Sequence, residues 1–262
     1  MTMILAHGKL SDAAVITGPI GLGDLALTNL QRPSLQEPYR FSGAAAEIFV
    51  DLLSAKAINL AALVGHSCDV NATCIVSGGT TAAATDFVLG SFPMQSQAEA
   101  GANFPVLSKN LFYQNFTTQT YRYWKFTITA PGATYTDIGR LYLSNVFQPT
   151  YNMVFGMVQG FQDLSSEYVT LSADSLSQKR PKRKTVEFSL EDLTEDESYN
   201  SLLPLDYLIG TTADVLFIPF PDVKKYVQLN SVYGKIAELA PVGWTQFGRF
   251  KKQYKIVELP GL

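Results

Sequence analysis

Apolar and polar residues alternate along several short segments in the first 150 residues. The clearest is YRYWKFTIT at residues 121–129, where Trp124, Phe126 and Ile128 fall on one side of an extended chain and Lys125 on the other. A period of two is the repeat of a β-strand with one buried face. Other segments of strand length, separated by Gly-, Thr-, Ala- or Pro-containing stretches, lie at residues 48–52, 58–64, 72–76 and 138–143. Short strands bounded by turn residues predict an all-β sandwich.

The second half of the chain has a different pattern of apolar and polar residues. Residues 191–211 are the one convincing helical segment, with acids at the start, leucines in between and Gly210 as a stop. Pro204 interrupts this segment, which predicts a short helix or two pieces. Further strands are expected at residues 168–175, 185–190, 214–220, 225–239 and 247–259, the last as an amphipathic edge. We therefore predict a sandwich or jelly roll in residues 1–155 and a smaller β-rich α+β domain with one short helix in residues 156–262.

Residues 90–118 have no regular pattern and are predicted to form long loops between strands. A long loop in a compact domain is often functional or an assembly contact. The loops within residues 80–118 are therefore the first place where contacts with other subunits are expected.

Composition narrows the function classes. Hydrophobic residues make up 47% of the 262 residues and charged residues 16%, which suffices for a large core and argues against disorder. The net charge of −3 gives no general attraction to nucleic acid. The chain begins without a charged leader before an apolar core and contains no apolar run long enough to span a bilayer, so we expect neither secretion nor membrane insertion. Two cysteines are too few for a disulfide framework.

His66, in Val64-Gly65-His66-Ser67-Cys68, is the first residue to test for catalysis. A nucleophile elbow needs Gly-x-Ser-x-Gly, which this segment does not provide. The chain has only one other histidine, His7, to serve as a base. We therefore interpret His66 as a scaffold residue that binds a turn carbonyl, and we predict no catalytic residue and no enzymatic activity, with a hydrolase as the least favoured alternative.

The sequence motifs that could indicate a metal, cofactor or acid–base site are equally weak. His66, Cys68 and Cys74 lack the paired spacing and the fourth ligand of a structural zinc site. Asp51 and Asp137 are interpreted as turn-capping residues at strand ends or in loops. The segment IGLGDLA at residues 20–26 has too few glycines for a phosphate loop and is predicted to be a turn. No metal and no cofactor are predicted.

The segment KRPKRK at residues 179–184 places five basic residues in six positions. Pro181 favours a solvated loop between two strands over a nucleic-acid site. Six acids lie between Glu187 and Glu197, and they could instead neutralise the basic loop of a neighbouring copy. Solvation and assembly are both open at this point.

Three motifs resemble the discoidin-like, galactose-binding-type sandwich. Residues 51–56, DLLSAK, are similar to the family's Asp-Leu-Gly strand end and polar turn, with Leu53 where glycine is usual. Residues 123–126, YWKF, are similar to its Tyr-Trp-Arg strand, with Lys125 in place of arginine. Residues 138–143, IGRLYL, resemble its closing strand.

The layout, including VYGK at residues 232–235 and IVEL at residues 256–259, is also similar to structural proteins of siphophage-like tails, of the distal-tail type. This resemblance covers most of residues 40–260. It implies a virion protein of the tail tip or baseplate, assembled in the host cytoplasm. It further implies a homo-oligomeric ring, a trimer or hexamer, that docks the tail tube and hub proteins.

A carbohydrate-binding module that contacts glycans on the host cell surface is the alternative. Discoidin-like sandwiches bind sugars at loops with aromatic platforms, and the resemblance makes Tyr113, Phe116 and Tyr135 the candidates for that role.

Overall fold

The computed structural model describes residues 2–95, 110–169, 174–223 and 226–259. Strands are the main element, so the mostly β fold class is confirmed. In the first half the strands are β1 (Ile4–His7), β2 (Val15–Thr17), β3 (Tyr39–Ser42), β4 (Ala45–His66), β5 (Thr73–Gly79), β6 (Phe87–Val88), β7 (Phe92–Pro93), β8 (Leu111–Thr129) and β9 (Tyr135–Ser144).

The second half contains β10 (Val158–Gln162), β11 (Ser166–Val169), β12 (Ser175–Gln178), β13 (Arg183–Leu193), β14 (Asp214–Ile218), β15 (Val232–Ile236), β16 (Gly243–Gln246) and β17 (Arg249–Glu258). One large sheet has the order β3-β9-β4-β8-β5-β6, with β2 on β4 and β7 on β5. The other has the order β1-β14-β15-β17-β13-β10, with β16 on β17. Among the described residues, strands β11 and β12 pair only with each other.

The segment expected to be a strand–turn–strand corner is one long strand, β4. Residues 45–51 pair with the end of β8, whereas residues 60–64 pair with the start of β8 and with β9. The register shifts between Asp51 and Lys56, so the predicted turn is an irregularity inside a continuous strand. Side chains from both parts of β4, Ile48 and Leu63, meet in one core. The β4–β8 pair therefore contributes to both layers of a sandwich.

The alternation predicted for residues 121–129 is confirmed, since Trp124, Phe126 and Ile128 are all buried in that core. Residues 60–64 do not alternate because both faces of their strand are covered. Ala61 and Leu63 point into the sandwich, and Leu60, Ala62 and Val64 pack with residues of the second sheet. Burial on both faces produces a continuous apolar run.

Residues 111–118 were expected to be loop, and this is wrong: they form the first part of β8. Leu111, Phe112 and Tyr113 are all buried in succession, so this stretch shows no period of two. Residues 96–109 of the predicted loop region lie outside the described residues.

The predicted helix in residues 191–211 is present as a π-helical turn, Glu197–Leu202, that runs directly into an α-helix, Leu203–Ile209. Pro204 lies at the start of the α-helix, where a missing N–H group is tolerated. Leu202, Leu205 and Ile209 cover one face of the second sheet. The described residues also contain three short helical segments that the sequence did not indicate, Lys9–Asp12, Leu27–Gln31 and Val227–Asn230.

Three strand predictions in the second half need correction. Residues 225–239 were expected to be one strand, but the helix Val227–Asn230 precedes β15. Strand β17 pairs with β13, β15 and β16 and is therefore interior rather than an edge. Residues 168–175 were expected to be a strand, but the described part of them contributes to β11 and β12 of a hairpin.

The first strand, β1, belongs to the sheet of the second half, where Ile4 pairs with Ile218. It also packs with Leu60 and Val64 of β4 in the apolar layer between the two sheets. The boundary between residues 155 and 156 stays a prediction. No helix within the described ranges is long and apolar enough to cross a membrane.

Candidate functional site

His66 is enclosed at the end of β4, with 4% of its surface exposed. Burial lowers the pKa of its imidazole to about 4, so the ring is neutral at physiological pH. Neither ring nitrogen makes a hydrogen bond of normal geometry, although the Met94 backbone lies nearby. The expected hydrogen bond to a turn carbonyl stays a prediction, with the Met94 backbone as its candidate partner. An enclosed neutral ring of this kind cannot reach a substrate from its present position.

The other histidine, His7, borders an open cleft of about 350 Å³ between β1, residues 145–148 and the helical segment 197–208. Glu197 is the carboxylate in this cleft, and its oxygens accept hydrogen bonds from the backbone N–H groups of Thr150 (2.5 Å) and Thr194 (2.8 Å). Burial works to raise the pKa of Glu197, but these hydrogen bonds outweigh it and lower the pKa. Glu197 therefore holds the turn before the helix and is not poised as an acid or base.

The two aspartates considered as candidate acids are each paired with an arginine. Asp51 accepts two hydrogen bonds from Arg122, at 2.7 and 2.8 Å, and a third from the backbone of Leu53 at 2.8 Å. The hydrogen bond from Arg122 lowers the pKa of Asp51. Asp51 therefore lies inside β4 rather than at a strand end, and its carboxylate binds the backbone of the irregularity in that strand instead of capping a turn. Asp137 lies within β9, not in a loop, and is bound by Arg40 at 2.6 and 2.8 Å.

Cys68 and Cys74 are free thiols buried in the sandwich core. Burial raises the pKa of Cys68 to about 12 and that of Cys74 further, so both thiols are protonated and unreactive. Within the part of the chain that the structure describes, no three His, Cys, Asp or Glu side chains lie together as metal ligands. The segment at residues 20–26 lies between strands, as predicted for a turn.

The three aromatic residues proposed for sugar binding are placed very differently. Tyr113 is buried, and its hydroxyl donates to the carbonyl oxygen of Pro221 at 2.8 Å, so it is wrong as a platform. Phe116 packs on Trp124 at 5.7 Å between ring centroids, against the core. Tyr135 is 47% exposed, and the guanidinium of Arg40 lies 4.2 Å from its ring centroid.

A group of exposed apolar side chains lies on the second half, and we call it the aromatic surface. It consists of Tyr199, Leu203, Tyr207, Trp244 and Phe247. Phe247, at the turn between β16 and β17, is 99% exposed, Tyr207 is 95% exposed and Trp244 is 65% exposed. Such exposure is unusual because these are the side chains that gain most from leaving water.

Two members of the aromatic surface, Trp244 and Tyr199, are connected through one buried ring. Phe250 lies 4.9 Å from Trp244 and 5.3 Å from Tyr199, between ring centroids. The helical segment carries three members of the surface at intervals of four residues, Tyr199, Leu203 and Tyr207. This spacing places them on one side of the segment. The surface therefore runs from the β16–β17 turn along the exposed side of the helix.

Acidic side chains border this surface. Glu191, Asp192, Glu195 and Asp196 form what we call the acidic group, and all four are exposed. Arg249 donates from Nη1 to the backbone carbonyl of Asp192 at 3.0 Å and also lies 5.4 Å from the ring of Tyr151. Because Arg249 directly precedes Phe250 on β17, the acidic group and the aromatic surface are neighbours.

A second exposed feature is the hairpin β11–β12, which we call the arm. Within the described ranges each of its strands pairs only with the other, and Tyr168, Val169 and Leu176 are exposed on it. The basic loop, residues 179–183, follows the arm directly and leads into β13. Lys184, the last residue of the basic run, is instead buried, and its Nζ donates to the carbonyl of Leu229 at 2.6 Å.

The sequence did not reveal the aromatic surface. A partial signal was present in WTQFGRF at residues 244–250, where Gly248 adopts a left-handed φ of 67° that marks a tight turn and places Phe247 at its tip. Exposure of the other members depends on which side of the helix faces the sheet.

No protein-family model matches the sequence, and no curated protein matches it. Among solved structures the chain is similar to chitosan-binding module 1 of a chitosanase/glucanase from Paenibacillus sp. IK-5, with 14% identity, a TM-score of 0.39, and coverage of 52% of this chain and 98% of the module. It is also similar to the family 32 carbohydrate-binding module of NanJ from C. perfringens, solved with galactose, with 8% identity, a TM-score of 0.41, and coverage of 53% and 99%.

A GH29 fucosidase from Ruminococcus gnavus, solved with fucose, matches with 10% identity, a TM-score of 0.38 and coverage of 52% of this chain. The match spans only 26% of the fucosidase. These three structures are carbohydrate-binding modules and a carbohydrate-active enzyme rather than virion proteins. Each likeness covers about half of this chain, with a TM-score near 0.4.

Proposed function

We propose that the protein is a non-enzymatic structural subunit that works by docking to other protein subunits. The observation that carries the proposal is the aromatic surface, in which Trp244, Phe247 and Tyr207 stay largely in water. Monomeric soluble proteins rarely expose contiguous apolar patches larger than about a few hundred Å², and such large patches mark interaction sites. Tyr and Trp are also the residues that most often dominate binding energy at interfaces.

The resemblance to siphophage-like tail proteins gives this proposal its biological setting. In that setting the chain is a distal-tail-type component of a phage tail tip or baseplate, with the tail tube and hub proteins as neighbours. A ring of three or six copies is the expected form. The virion as its location, and the host cytoplasm as its place of assembly, are parts of the same proposal.

Two measurements test it. Light scattering on the purified chain across a concentration series is expected to give a discrete multiple of the monomer mass. Tyr207→Ser combined with Phe247→Ser is expected to reduce that mass, because both side chains would be covered in the assembly. Ile20→Ser with Val88→Ser, two exposed apolar residues of the first half, is the matched control and is expected to leave the mass unchanged.

The second measurement is antibody labelling of purified phage particles in the electron microscope. Label at one end of the tail is expected. Particles that lack the chain altogether would count against a virion role, whatever the solution mass.

Glycan binding is a second candidate, favoured by the surroundings of Tyr135. An exposed tyrosine ring beside the Arg40–Asp137 ion pair combines an apolar face with charged hydrogen-bonding groups, the two features that a sugar ring needs. Titration of the full chain with a panel of host-surface glycans tests this candidate. Binding that is lost in Tyr135→Ala and kept in Tyr168→Ala, an exposed tyrosine elsewhere, would support it, and no binding by the unaltered chain would exclude it for that panel.

A further inference from the structure

The arm is too small to be stable without another surface packed against it. A two-stranded hairpin is at best marginally stable in water, and three strands or a packing partner are normally required. Strands β11 and β12 have no other strand beside them among the described residues. Tyr168, Val169 and Leu176 are exposed on the arm, and Val158 and Phe161 are exposed on β10 just before it. The arm therefore presents apolar side chains that a partner surface can cover.

The basic loop beside the arm has little neutralisation within the chain. Lys182 lies 3.6 Å from Asp163, and both side chains are more than half exposed, so this pair is weak. Lys179, Arg180 and Arg183 form no ion pair with any described residue. The loop thus offers several cationic side chains next to the apolar arm.

The acidic group has the opposite character and lies at the other end of the same strand. Strand β13 has 11 residues, and at about 3.3 Å per residue it separates the basic loop from the acidic group by roughly 30 Å. This distance is several times the screening length of about 8 Å at physiological salt. The two charge groups therefore cannot neutralise each other within one chain.

We infer that the arm of one copy docks on the aromatic surface of a second copy, with the basic loop of the first facing the acidic group of the second. Each of the two features supplies what the other lacks: apolar side chains with cations on one, and apolar side chains with carboxylates on the other. This inference rests on the proposed function, since it names the partner of the docking surface as another copy of the chain. Two different patches meet, so the contact is head-to-tail and repeats into a ring or a filament.

Charge-swapped variants test this contact on the full chain. The arm variant carries Lys179→Glu and Arg180→Glu, and the surface variant carries Glu191→Lys and Glu195→Lys; all four positions are exposed. Each variant alone places like charges against each other and is expected to weaken self-association on the order of tenfold to a hundredfold. A chain that carries all four changes has an acidic arm loop and a basic surface, so opposite charges face each other at every contact in a ring of any size, and assembly is expected to return.

The control for the arm variant is Lys9→Glu with Lys56→Glu, which changes the net charge equally at exposed sites of the first half. It is expected to assemble like the unaltered chain. Assembly of the unaltered chain is also expected to weaken as salt rises from about 0.05 to about 0.5 M, because exposed charges are screened. A thermal melt followed by circular dichroism is used to check that each variant is folded.

Some outcomes overturn the inference and leave the proposed function standing. Assembly that is lost in Tyr207→Ser with Phe247→Ser but unchanged in both charge variants means that the aromatic surface docks something other than the arm. A monomer at every concentration that still labels phage tails means that the partner is a different tail protein. Charge variants that weaken assembly singly, and whose combination in one chain fails to restore it, also refute the pairing of these two patches.

Discussion

Arg140 of β9 and Asp214 of β14 form a buried ion pair that joins the two large sheets. Arg140 donates to the Asp214 carboxylate from Nε at 3.0 Å and from Nη2 at 3.2 Å, and neither side chain is appreciably exposed. The hydroxyls of Tyr142 and Tyr233 donate to the same carboxylate, and Arg140 also pairs with Asp12 at 2.6 Å. Side chains of β9, β14, β15 and the helix Lys9–Asp12 thus meet in one polar cluster next to the apolar layer between the sheets.

Arg140→Met is expected to lower the free energy of unfolding by about 3–5 kcal/mol, because it leaves the Asp214 carboxylate buried without its cation. Denaturant unfolding at neutral pH measures the loss. The control is Arg122→Met, which breaks the partly exposed pair with Asp51 and is expected to cost much less, because solvent screens that pair. If both variants lost the same free energy of unfolding, burial of the Arg140–Asp214 pair would not be the reason for its contribution to stability.

His66 makes the fold sensitive to acid. The folded-state pKa of about 4 lies below the usual value near 6.5, so the unfolded chain binds the proton more readily between these two pH values. Stability is therefore complete above about pH 6.5 and falls as the pH drops toward 4, by about 3 kcal/mol from this group. Urea unfolding at several pH values, compared between the unaltered chain and His66→Leu, isolates this contribution. Parallel pH profiles in the two proteins would show that His66 is not responsible.

The sequence predicted those strands whose two faces have different surroundings. Trp124, Phe126 and Ile128 face the core while Lys125 and Thr127 do not, so the period of two was visible. The same holds for Val186, Phe188 and Leu190 of β13, within the predicted strand 185–190.

Elements that depend on distant parts of the chain could not be predicted in this way. Residues 60–64 and 111–113 are covered on both faces, which removes the alternation from their sequence. The position of β1 in the second sheet follows from pairing with residues more than 200 positions away. The aromatic surface could not be predicted for a related reason. Leu205 and Tyr207 are both large apolar residues two positions apart, and only the packing of the helix on the sheet decides that Leu205 is buried and Tyr207 is exposed.

Leu53 adopts a left-handed backbone conformation, with φ of 63°, at the irregularity of β4 where the resembled family usually has glycine. A non-glycine residue pays about 1 kcal/mol for this conformation. Leu53 is exposed, so its side chain contributes little burial in return. Leu53→Gly is therefore expected to raise the free energy of unfolding by about 0.5–1 kcal/mol.

Thermal or urea unfolding of Leu53→Gly measures this change, with Leu53→Ala as the control. Alanine keeps the strained φ and removes only the exposed side chain, so it is expected to be close to neutral. A loss of stability in the glycine variant would mean that the strain is not present.

Lys252 of β17 anchors the helix that carries Tyr207. Its ammonium pairs with the carboxylate of Asp206, which also accepts a hydrogen bond from the Tyr254 hydroxyl at 3.1 Å, and all three groups are buried between helix and sheet. Lys252→Met leaves the carboxylate of Asp206 buried without a cation and is expected to lower the free energy of unfolding by about 3 kcal/mol.

The same substitution is expected to reduce the protection of amide hydrogens in residues 203–209 against exchange, because the helix loses its polar anchor. Lys251→Met changes the neighbouring lysine on β17, which is exposed, and is expected to leave both stability and amide protection unchanged. Loss of helix protection in Lys252→Met together with weaker assembly would connect this buried pair to the docking surface above it. If the helix stays protected and assembly is unaffected, the aromatic surface is held by the apolar contacts of Leu202, Leu205 and Ile209 alone.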